Sequence, residues 1–319
     1  MSHPHISVVT PSYNQAPFLE KTIQSVLTQK TPEIEYFVID GGSTDGSIDI
    51  IRKYESEIDH WVSEKDRGQA DGINKGFSLA GGEIFGWINS DDFYLKGAFE
   101  KVLAYFDAHP EVDLVYGDVL SVNQEGELIN VMRFADYTLR DLMAFRIISQ
   151  PAVFFRRKAW DSAGGMDLRY HFLLDHHLWL RIAAGGKIAY LPEPLAAARF
   201  YPEAKNRAHA ADFGAEAYRI ADWLLTDPEM KPYSKGYRRV IQGGADWLNA
   251  NYLSNGNHPW KSLKNYAKAF TKYPSRVIED RRRVGVTLLM AISPEKATDV
   301  FRREAQKRMD AFSAYRDLL

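Results

Sequence analysis

Apolar and polar residues follow two spacings along the first two thirds of the chain. Short β-branched runs at residues 5–10 and 34–40 are typical of buried strands. Each run is followed by a turn and then by apolar residues at helical spacing, as in residues 17–29 and 48–57. Strands that alternate with helices of about 10 to 15 residues predict parallel strands joined by right-handed crossovers. The pattern therefore predicts an α/β sheet with helices on both faces.

The pattern changes after residue 111. The segments 112–122 and 128–134, joined by a turn, predict an antiparallel addition, so we expect a mixed sheet. From about residue 211 onward the sequence is helical and amphipathic, without further strand-like runs. We expect an α/β domain over residues 1–215 and a helical C-terminal region over residues 216–319.

Composition removes several classes of function. The 319 residues carry a formal charge of −2, which gives no electrostatic case for a nucleic-acid partner. The chain has no Cys, so thiolate catalysis and Cys-based metal sites are excluded. The longest apolar run near the C-terminus reaches about half of the ~20 residues that a membrane span requires, and no signal peptide is recognisable. We expect a soluble, cytoplasmic protein and leave peripheral membrane contact open.

Carboxylates follow two of the predicted strands directly. Asp40 ends the second strand, and Ser90, Asp91 and Asp92 follow the fourth. In an open α/β sheet, ligands bind beyond the carboxyl ends of the strands, so we expect these acids to converge. Hard oxygen ligands of this kind suit Mg²⁺ or Mn²⁺. The competing interpretations are that Asp91 or Asp92 caps the next helix, near Lys96, and that Asp40 only forms a turn.

Two further segments carry candidate chemistry. Residues 64–76 combine Arg67 with lysines and glycines in a loop that enters a helix, an arrangement that suits phosphate. The Gly-rich signatures of dinucleotide-binding and P-loop proteins are absent from it. Asp175 opens an apolar helix beside His176 and His177, where an Asp is more often a cap than a base.

The order and spacing of these motifs resemble family 2 inverting glycosyltransferases of the GT-A fold, of the type that builds bacterial capsule, O-antigen or exopolysaccharide. The matching segments are "VVTPSYN", "FVIDGGSTDGS", "DRGQADGINKGFSLAGGEI", "GWINSDD", "GGMD" and "LLDHHLWLRI", within residues 5–205. The resemblance implies a nucleoside diphosphate sugar donor, with UDP preferred, and a saccharide acceptor that is lipid-linked. It also implies a divalent metal, Mn²⁺ or Mg²⁺. Residues 260–285 carry Lys, Arg, Trp and Tyr, which suit anionic headgroups, so the C-terminal helices are either a packed structural appendage or an acceptor-side or membrane-surface element at the inner face of the plasma membrane.

The resemblance also implies roles for particular residues. Asp175 would be the catalytic base, and Asp91 would bind the metal with help from Asp92. The remaining residues implied in nucleotide-sugar binding are Thr10, Pro11, Tyr13, Asp40, Arg67, Gln69, Asp71, Ser90 and Lys205. Within this set, Tyr13 would lie against the base and Asp40 would accept a hydrogen bond from it.

The chain departs from the family pattern at three positions. Asn89 stands where the D-x-D motif has its first acid, Leu174 replaces a Glu before Asp175, and Tyr201 lies where relatives often have a His. These departures keep open a catalytically silent nucleotide-sugar-binding scaffold protein. A nucleotidyltransferase is a further alternative, but it would have a basic Gly-rich loop after the first strand, where this chain has residues 11–18.

Overall fold

The chain forms two compact units, and the computed structural model describes residues 5–201 and 203–319. The first unit contains the residues up to Asp136, Ile148–Arg199 and Ala314–Leu319, and the second contains Tyr137–Ile147 and Phe200–Ser313. Residue 215, where the sequence suggests a boundary, lies inside a continuous helix of the second unit. The compact units therefore divide earlier in the chain than the expected domains do.

The described strands all belong to one sheet in the first unit. They are β1 (Ile6–Ser12), β2 (Ile34–Asp40), β3 (His60–Ser63), β4 (Ile84–Trp87), β5 (Phe93–Tyr94), β6 (Leu114–Val122), β7 (Leu128–Met132), β8 (Val153–Arg156) and β9 (Ile188–Arg199). Their order is β3-β2-β1-β4-β8-β6-β9-β5, with β7 paired to β6. Strands β1 to β4 are parallel, whereas β8 is antiparallel to both neighbours. The expected mixed α/β sheet is confirmed.

The helices predicted over residues 17–29 and 48–57 are present, and the region after residue 211 is helical as expected, whereas the helix Arg157–Ala163 was not predicted. Those of the first unit are α1 (Ala16–Leu27), α2 (Ser47–Lys53), α3 (Gln69–Leu79), α4 (Ala98–Ala108), α6 (Arg157–Ala163) and α7 (Leu174–Gly185). Those of the second unit are α5 (Leu139–Met143), α8 (Lys205–Ala208), α9 (Ala210–Thr226), α10 (Lys231–Ser234), α11 (Arg238–Asn255), α12 (Pro259–Lys272), α13 (Pro274–Glu279), α14 (Arg281–Ile292) and α15 (Pro294–Ala311). Short 3-10 turns lie at Gln150–Ala152 and Ser313–Leu318.

Helix α3 lies very close to the sheet, and this placement depends on a glycine. A Cβ atom at Gly76 would come within 2.5 Å of the Val9 side chain on β1. In α1, the residues Phe18, Leu19 and Ile23 are buried, as their helical spacing predicts. Close packing of α3 on β1 brings the start of the helix to the carboxyl edge of the sheet.

The second unit is helical, and its most extensive helix packing joins α11 to α12 and α11 to α9. A half-buried ion pair lies between two of these helices, with Lys272 Nζ 2.6 Å from the buried Asp246 carboxylate. In the part of the chain that the structure describes, no helix combines the length and apolar character that crossing a membrane requires.

Candidate functional site

The parallel register places the ends of four strands at one edge of the sheet. Asp40 at the end of β2 lies opposite Ser12 on β1 and Ser63 on β3. Strand β4 pairs with the other side of β1, and its chain continues past Trp87 into residues 89–92. The structure therefore places Asp40 and the acids after β4 at the same edge of the sheet, as the strand pattern predicts.

The Asp40 carboxylate is fully buried and holds the loop that follows β2. Its Oδ2 atom accepts hydrogen bonds from the backbone N–H groups of Gly42 and Ser43, at 3.0 and 2.8 Å, and from the Ser63 hydroxyl at 2.6 Å. Its Oδ1 atom accepts from the Ser43 hydroxyl at 2.5 Å. Gly42 has a φ of 85°, which favours glycine in this turn. Asp40 thus shapes the loop, and its contact with a base stays a prediction.

The predicted site residues at the end of β1 and directly after it differ in their exposure to solvent. The Thr10 hydroxyl is buried and shares a 2.9 Å hydrogen bond with the Tyr36 hydroxyl. Pro11 is also buried, whereas Tyr13 is 62% exposed. The Tyr13 ring is consequently the one of the three predicted residues with a broad face open for stacking on a base.

The loop before α3 is closed by an ion pair. The Arg67 guanidinium donates to Asp71 Oδ1 at 2.8 Å, and the Arg67 backbone N–H donates to Asp71 Oδ2 at 3.1 Å. The hydrogen bond from Arg67 lowers the pKa of the Asp71 carboxyl below its usual range, so Asp71 is ionised at neutral pH. The Arg67 side chain is 73% exposed, which leaves a cation open to solvent at the start of α3. This arrangement suits an anionic ligand.

A hydrogen-bonding side chain of α1 anchors the loop Asn89–Asp92. The Thr22 hydroxyl lies 3.0 Å from the Ser90 carbonyl oxygen and 2.6 Å from the Asp92 carbonyl oxygen. Helix α4 begins only at Ala98, without a side-chain cap. Neither Asp91 nor Asp92 therefore caps that helix, and the competing interpretation of these acids is wrong.

The two adjacent acids have different surroundings. Asp91 is half-buried, whereas the Asp92 carboxylate is buried and accepts from the Arg199 backbone N–H at 2.9 Å. Burial, and then the charge of Asp91, raise the pKa of Asp92 well above its usual value. Asp91 is thus the accessible carboxylate of the pair, as a metal ligand has to be.

Asp175 lies in the first turn of α7, where Leu173 occupies the cap position. Its carboxylate is half-buried and accepts from the His176 backbone N–H at 2.7 Å. Trp179, one turn later on the same face, stacks on Trp87 at the end of β4 with ring centroids 5.2 Å apart. This packing directs the start of α7 toward the carboxyl end of β4.

The two histidines of α7 belong to the interior of the first unit. His176 and His177 are both buried, and the His177 ring stacks on Tyr170 at a centroid distance of 4.1 Å. Burial, followed by the charge of Arg181, lowers the pKa of His177 to about 3, so the ring is neutral at physiological pH. Packing explains both histidines, and a dihistidine metal site is not needed.

Lys205 is the one predicted site residue of the second unit, where it opens α8 and is exposed. Tyr201, at the position where relatives often have a His, is buried in the same unit. The contribution of Lys205 to donor binding stays a prediction.

The chemistry of the loop after β4 fits a divalent metal that is shared with a ligand. Among the described residues, no group of three or more His, Cys, Asp or Glu side chains could hold an ion without help. Asp91 supplies one accessible carboxylate, and Asn89 supplies a neutral amide oxygen close to it in sequence. Mg²⁺ and Mn²⁺ commonly take few protein oxygens and complete their coordination with phosphate and water. The residues present therefore fit a metal bound together with a diphosphate.

Sequence reasoning missed Gln150 and Arg199. Gln150 is buried and hydrogen-bonds Asn89, 61 positions away, so no local pattern marks it. The Arg199 guanidinium lies between the rings of Phe18 and Phe93, at 5.0 and 5.1 Å from their centroids. A charged residue that ends the long apolar β9 segment was the available signal for Arg199.

The chain is similar in sequence to known glycosyltransferases. A family model described as glycosyl transferase family 2 matches residues 7–164. The PGL/p-HBAD biosynthesis glycosyltransferase of Mycobacterium tuberculosis is 30% identical over 179 residues, which are 55% of this chain and 68% of the relative. The chondroitin synthase of Pasteurella multocida is 26% identical over 191 residues, which are 59% of this chain and 20% of that protein. The chain belongs to glycosyl transferase family 2.

Solved structures show the same fold. The crystal structure of S. aureus TarS 1-349 in complex with UDP-GlcNAc has a TM-score of 0.57 at 18% identity, covering 96% of this chain and 92% of that one. The mannosyltransferase PcManGT from Pyrobaculum calidifontis, in complex with GDP-Man and Mn²⁺, has a TM-score of 0.60 at 18% identity. The match to the mannosyltransferase covers 99% of this chain and 88% of that one. These matches confirm the predicted GT-A type of fold, and the family membership gives the glycosyltransferase class.

Proposed function

We propose that the protein transfers a sugar, with inversion, from a UDP-sugar to a lipid-linked saccharide acceptor in the synthesis of a cell-surface polysaccharide. The observation that carries this proposal is the convergence of Asp40, the Arg67–Asp71 pair and the Asn89–Asp92 loop at one edge of the sheet. Ligands of open α/β sheets bind at this edge. The family membership of the chain gives the reaction type.

The donor would lie across the carboxyl ends of β1, β2 and β4. Tyr13 offers an exposed ring to the base, and Asp40 lies at the same edge. Arg67 and the start of α3 offer positive charge to the diphosphate. UDP is favoured because TarS, which has this fold, was solved with UDP-GlcNAc and with UDP. The mannosyltransferase was solved with a GDP-sugar, so the choice of nucleotide has to be measured.

The reaction requires one base and one leaving group. As the acceptor hydroxyl oxygen forms its bond to the anomeric carbon, the bond from that carbon to the diphosphate oxygen breaks, and the acceptor proton passes to Asp175. Attack from the face opposite the diphosphate inverts the anomeric carbon. Leu174, which stands where the family pattern has a Glu, is buried in the core, so Asp175 is the carboxylate at these two positions that can act as the base.

The departing UDP carries the negative charge that develops in this step. Arg67 offsets part of this charge, because its guanidinium is exposed at the start of α3. A divalent metal, when bound by Asp91 together with the diphosphate, would supply further charge neutralisation. Asp92 would order the loop through its bond to the Arg199 backbone.

One surface of the second unit is consistent with a lipid-linked acceptor. Helix α12 exposes Trp260 and Phe270, at 61% and 51%, beside three exposed lysines, Lys261, Lys264 and Lys268. Trp and Lys on one helix face suit the anionic surface of a membrane. We therefore place the protein in the cytoplasm, at the inner face of the plasma membrane.

Cosedimentation with vesicles tests this placement. Anionic phosphatidylglycerol vesicles at low salt should bind the protein more strongly than neutral vesicles do, and replacement of Lys264 and Lys268 by Ala should reduce the difference. Lys96→Ala, which removes an exposed lysine from the first unit, serves as the control. Equal binding of both kinds of vesicle would remove the membrane from the proposal.

Donor cleavage tests the reaction itself. The purified protein is incubated with Mn²⁺ and a panel of α-linked UDP-sugars, and NMR follows both UDP release and the anomeric proton of the first product. We expect one UDP-sugar to react and the first product to be the β-anomer, with little turnover by Asp175→Asn. Release of the α-anomer would contradict inversion. Tight UDP binding without any turnover, with or without acceptor, would favour the scaffold alternative.

A further inference from the structure

Three side-chain amides form a chain of hydrogen bonds beneath the loop that follows β4. Gln150 Nε2 donates to the Trp87 carbonyl oxygen at 2.7 Å, and Asn89 Nδ2 donates to Gln150 Oε1 at 3.1 Å. Gln69 Nε2, at the start of α3, donates to Asn89 Oδ1 at 2.7 Å. The chain therefore connects β4, the 3-10 turn before β8 and α3 through Asn89.

The donor and the acceptor of each hydrogen bond in this amide chain follow from the bond to the Trp87 carbonyl oxygen. A backbone carbonyl such as that of Trp87 can only accept, so Gln150 has to present its NH₂ group there. The oxygen of Gln150 then faces Asn89, which has to present its own NH₂ group. The Asn89 oxygen is left facing Gln69, and its second lone pair stays available. The orientation of Asn89 is thus determined by hydrogen-bond chemistry.

An Asn at position 89 can therefore donate a hydrogen bond to Gln150, whereas an ionised Asp could not. A carboxylate at position 89 would place an oxygen that can only accept next to Gln150 Oε1, which is an acceptor as well. Rotating the Gln150 amide would relieve that contact, but it would set Oε1 against the Trp87 carbonyl oxygen. Gln150 is 7% exposed, so water cannot readily take over either bond.

We propose that Gln150 is a positioning residue that acts through Asn89, and that this amide chain takes the structural place of the first acid of the D-x-D motif. Gln150 holds Asn89 so that its oxygen faces the donor edge and ties Gln69 to the loop that carries Asp91. The inference rests on the proposed function only in naming UDP and Mn²⁺ as the ligand. An Asp at position 89 weakens the site, although it adds a charge that a metal would favour.

The test is a double-mutant cycle with Asn89→Asp, Gln150→Met and their combination. Each variant is titrated calorimetrically with UDP in the presence of Mn²⁺, and its thermal midpoint is measured without ligand. We expect Asn89→Asp to weaken UDP binding about tenfold, the effect of losing one hydrogen bond and gaining an acceptor clash. In the Gln150→Met background, Asn89→Asp should weaken UDP binding clearly less, because the opposing acceptor Gln150 Oε1 has been removed.

Gln29→Met is the matched control. Gln29 makes two hydrogen bonds to backbone groups, with Ser25 and Ala98, after the end of α1, so this variant loses comparable bonds outside the site. It should lower the thermal midpoint and leave the UDP affinity unchanged, whereas Gln150→Met should change both.

The outcomes separate the inference from the proposed function. Asn89→Asp binding UDP as tightly as the natural chain does, or more tightly, would overturn the inference, and so would additive effects in the cycle. If the natural chain does not bind UDP at all, the proposed donor is wrong, and the thermal midpoints measured without ligand then test the amide chain. A smaller drop in midpoint from Asn89→Asp in the Gln150→Met background than in the natural chain would support the amide chain, and an equal drop would refute it.

Discussion

The indole rings of Trp87 and Trp179 stack at a centroid distance of 5.2 Å with their planes 26° apart. Trp87 ends β4, immediately before the loop that carries Asp91, and Trp179 follows Asp175 by one turn of α7. Both rings are fully buried. The candidate base and the candidate metal ligand are therefore held by elements that meet at one aromatic contact.

Removing this contact should destabilise the first unit. We expect Trp179→Ala to lower the free energy of unfolding by about 3–5 kcal/mol, since it leaves a large cavity in a packed core. Trp179→Phe keeps an aromatic ring against Trp87 and should cost less. Urea unfolding of the three proteins measures the difference, and a loss below about 1 kcal/mol for Trp179→Ala would mean that the contact is not a packing anchor.

Asp175→Asn should separate chemistry from donor binding. The amide keeps the shape of the side chain but cannot accept the acceptor proton, so we expect kcat to fall by roughly 10²–10⁴-fold. The KM for the donor should change little. The exposed Asp161 on α6 offers a control, because Asp161→Asn removes a carboxylate of the same unit away from the sheet edge. Equal losses in the two variants would refute the role of Asp175.

The segment before α7 should give the protein a stability that depends on pH. Burial by itself raises the pKa of Asp167, but hydrogen bonds from the Arg169 side chain and backbone outweigh it and lower the pKa to about 2. A carboxyl whose pKa is lowered on folding stabilises the protein above its unfolded pKa, here 3.8, and loses that contribution as the pH falls toward 2. The stability difference between the natural chain and Asp167→Asn should shrink from pH 5 to pH 2.5. Urea unfolding at both pH values would show it, and a constant difference would contradict the role of Arg169.

In the second unit, the Asp246–Lys272 pair should matter more than any exposed ion pair. The Asp246 side chain is 2% exposed, and it accepts from Lys272 at 2.6 Å and from the Tyr218 hydroxyl at 2.9 Å. Lys272→Met leaves a buried carboxylate with one partner fewer, which should cost about 1–3 kcal/mol. Lys268→Met, on the exposed side of the same helix, should cost less than about 0.5 kcal/mol. Thermal unfolding that gave similar losses for both would contradict this ranking.

Much of the first unit follows from local patterns in the sequence. The order of β1 to β4 with their helices was predictable because apolar periodicity changes at each turn, and parallel pairing then placed Asp40 and Asp91 at one edge. The position of β8 between β4 and β6 was not predictable, because long-range pairing decides it. The assignment of Tyr137–Ile147 to the second unit was not predictable either, because it depends on contacts with residues far along the chain.

The candidate site was only partly predictable. Asp91, Arg67 and Asp175 lie in recognisable local motifs. The partners that orient the site come from distant positions, since Gln150 contacts Asn89 and Trp179 contacts Trp87 across the fold. An Asn in place of an acid looks like a loss in the sequence, and the hydrogen bond from Asn89 to Gln150, which suggests a reason for the amide, joins positions too distant for a local pattern to reveal.

The loop after β4 should bind a nucleoside diphosphate together with a divalent metal. Calorimetric titration with UDP, GDP and dTDP, each with and without Mn²⁺, tests it on the natural chain and on Asp91→Ala. We predict binding of one nucleotide, UDP, that requires Mn²⁺ and that Asp91→Ala loses while remaining folded. Binding that is independent of the metal and unchanged in Asp91→Ala, or no binding of any of the three by a folded sample, would contradict the claim.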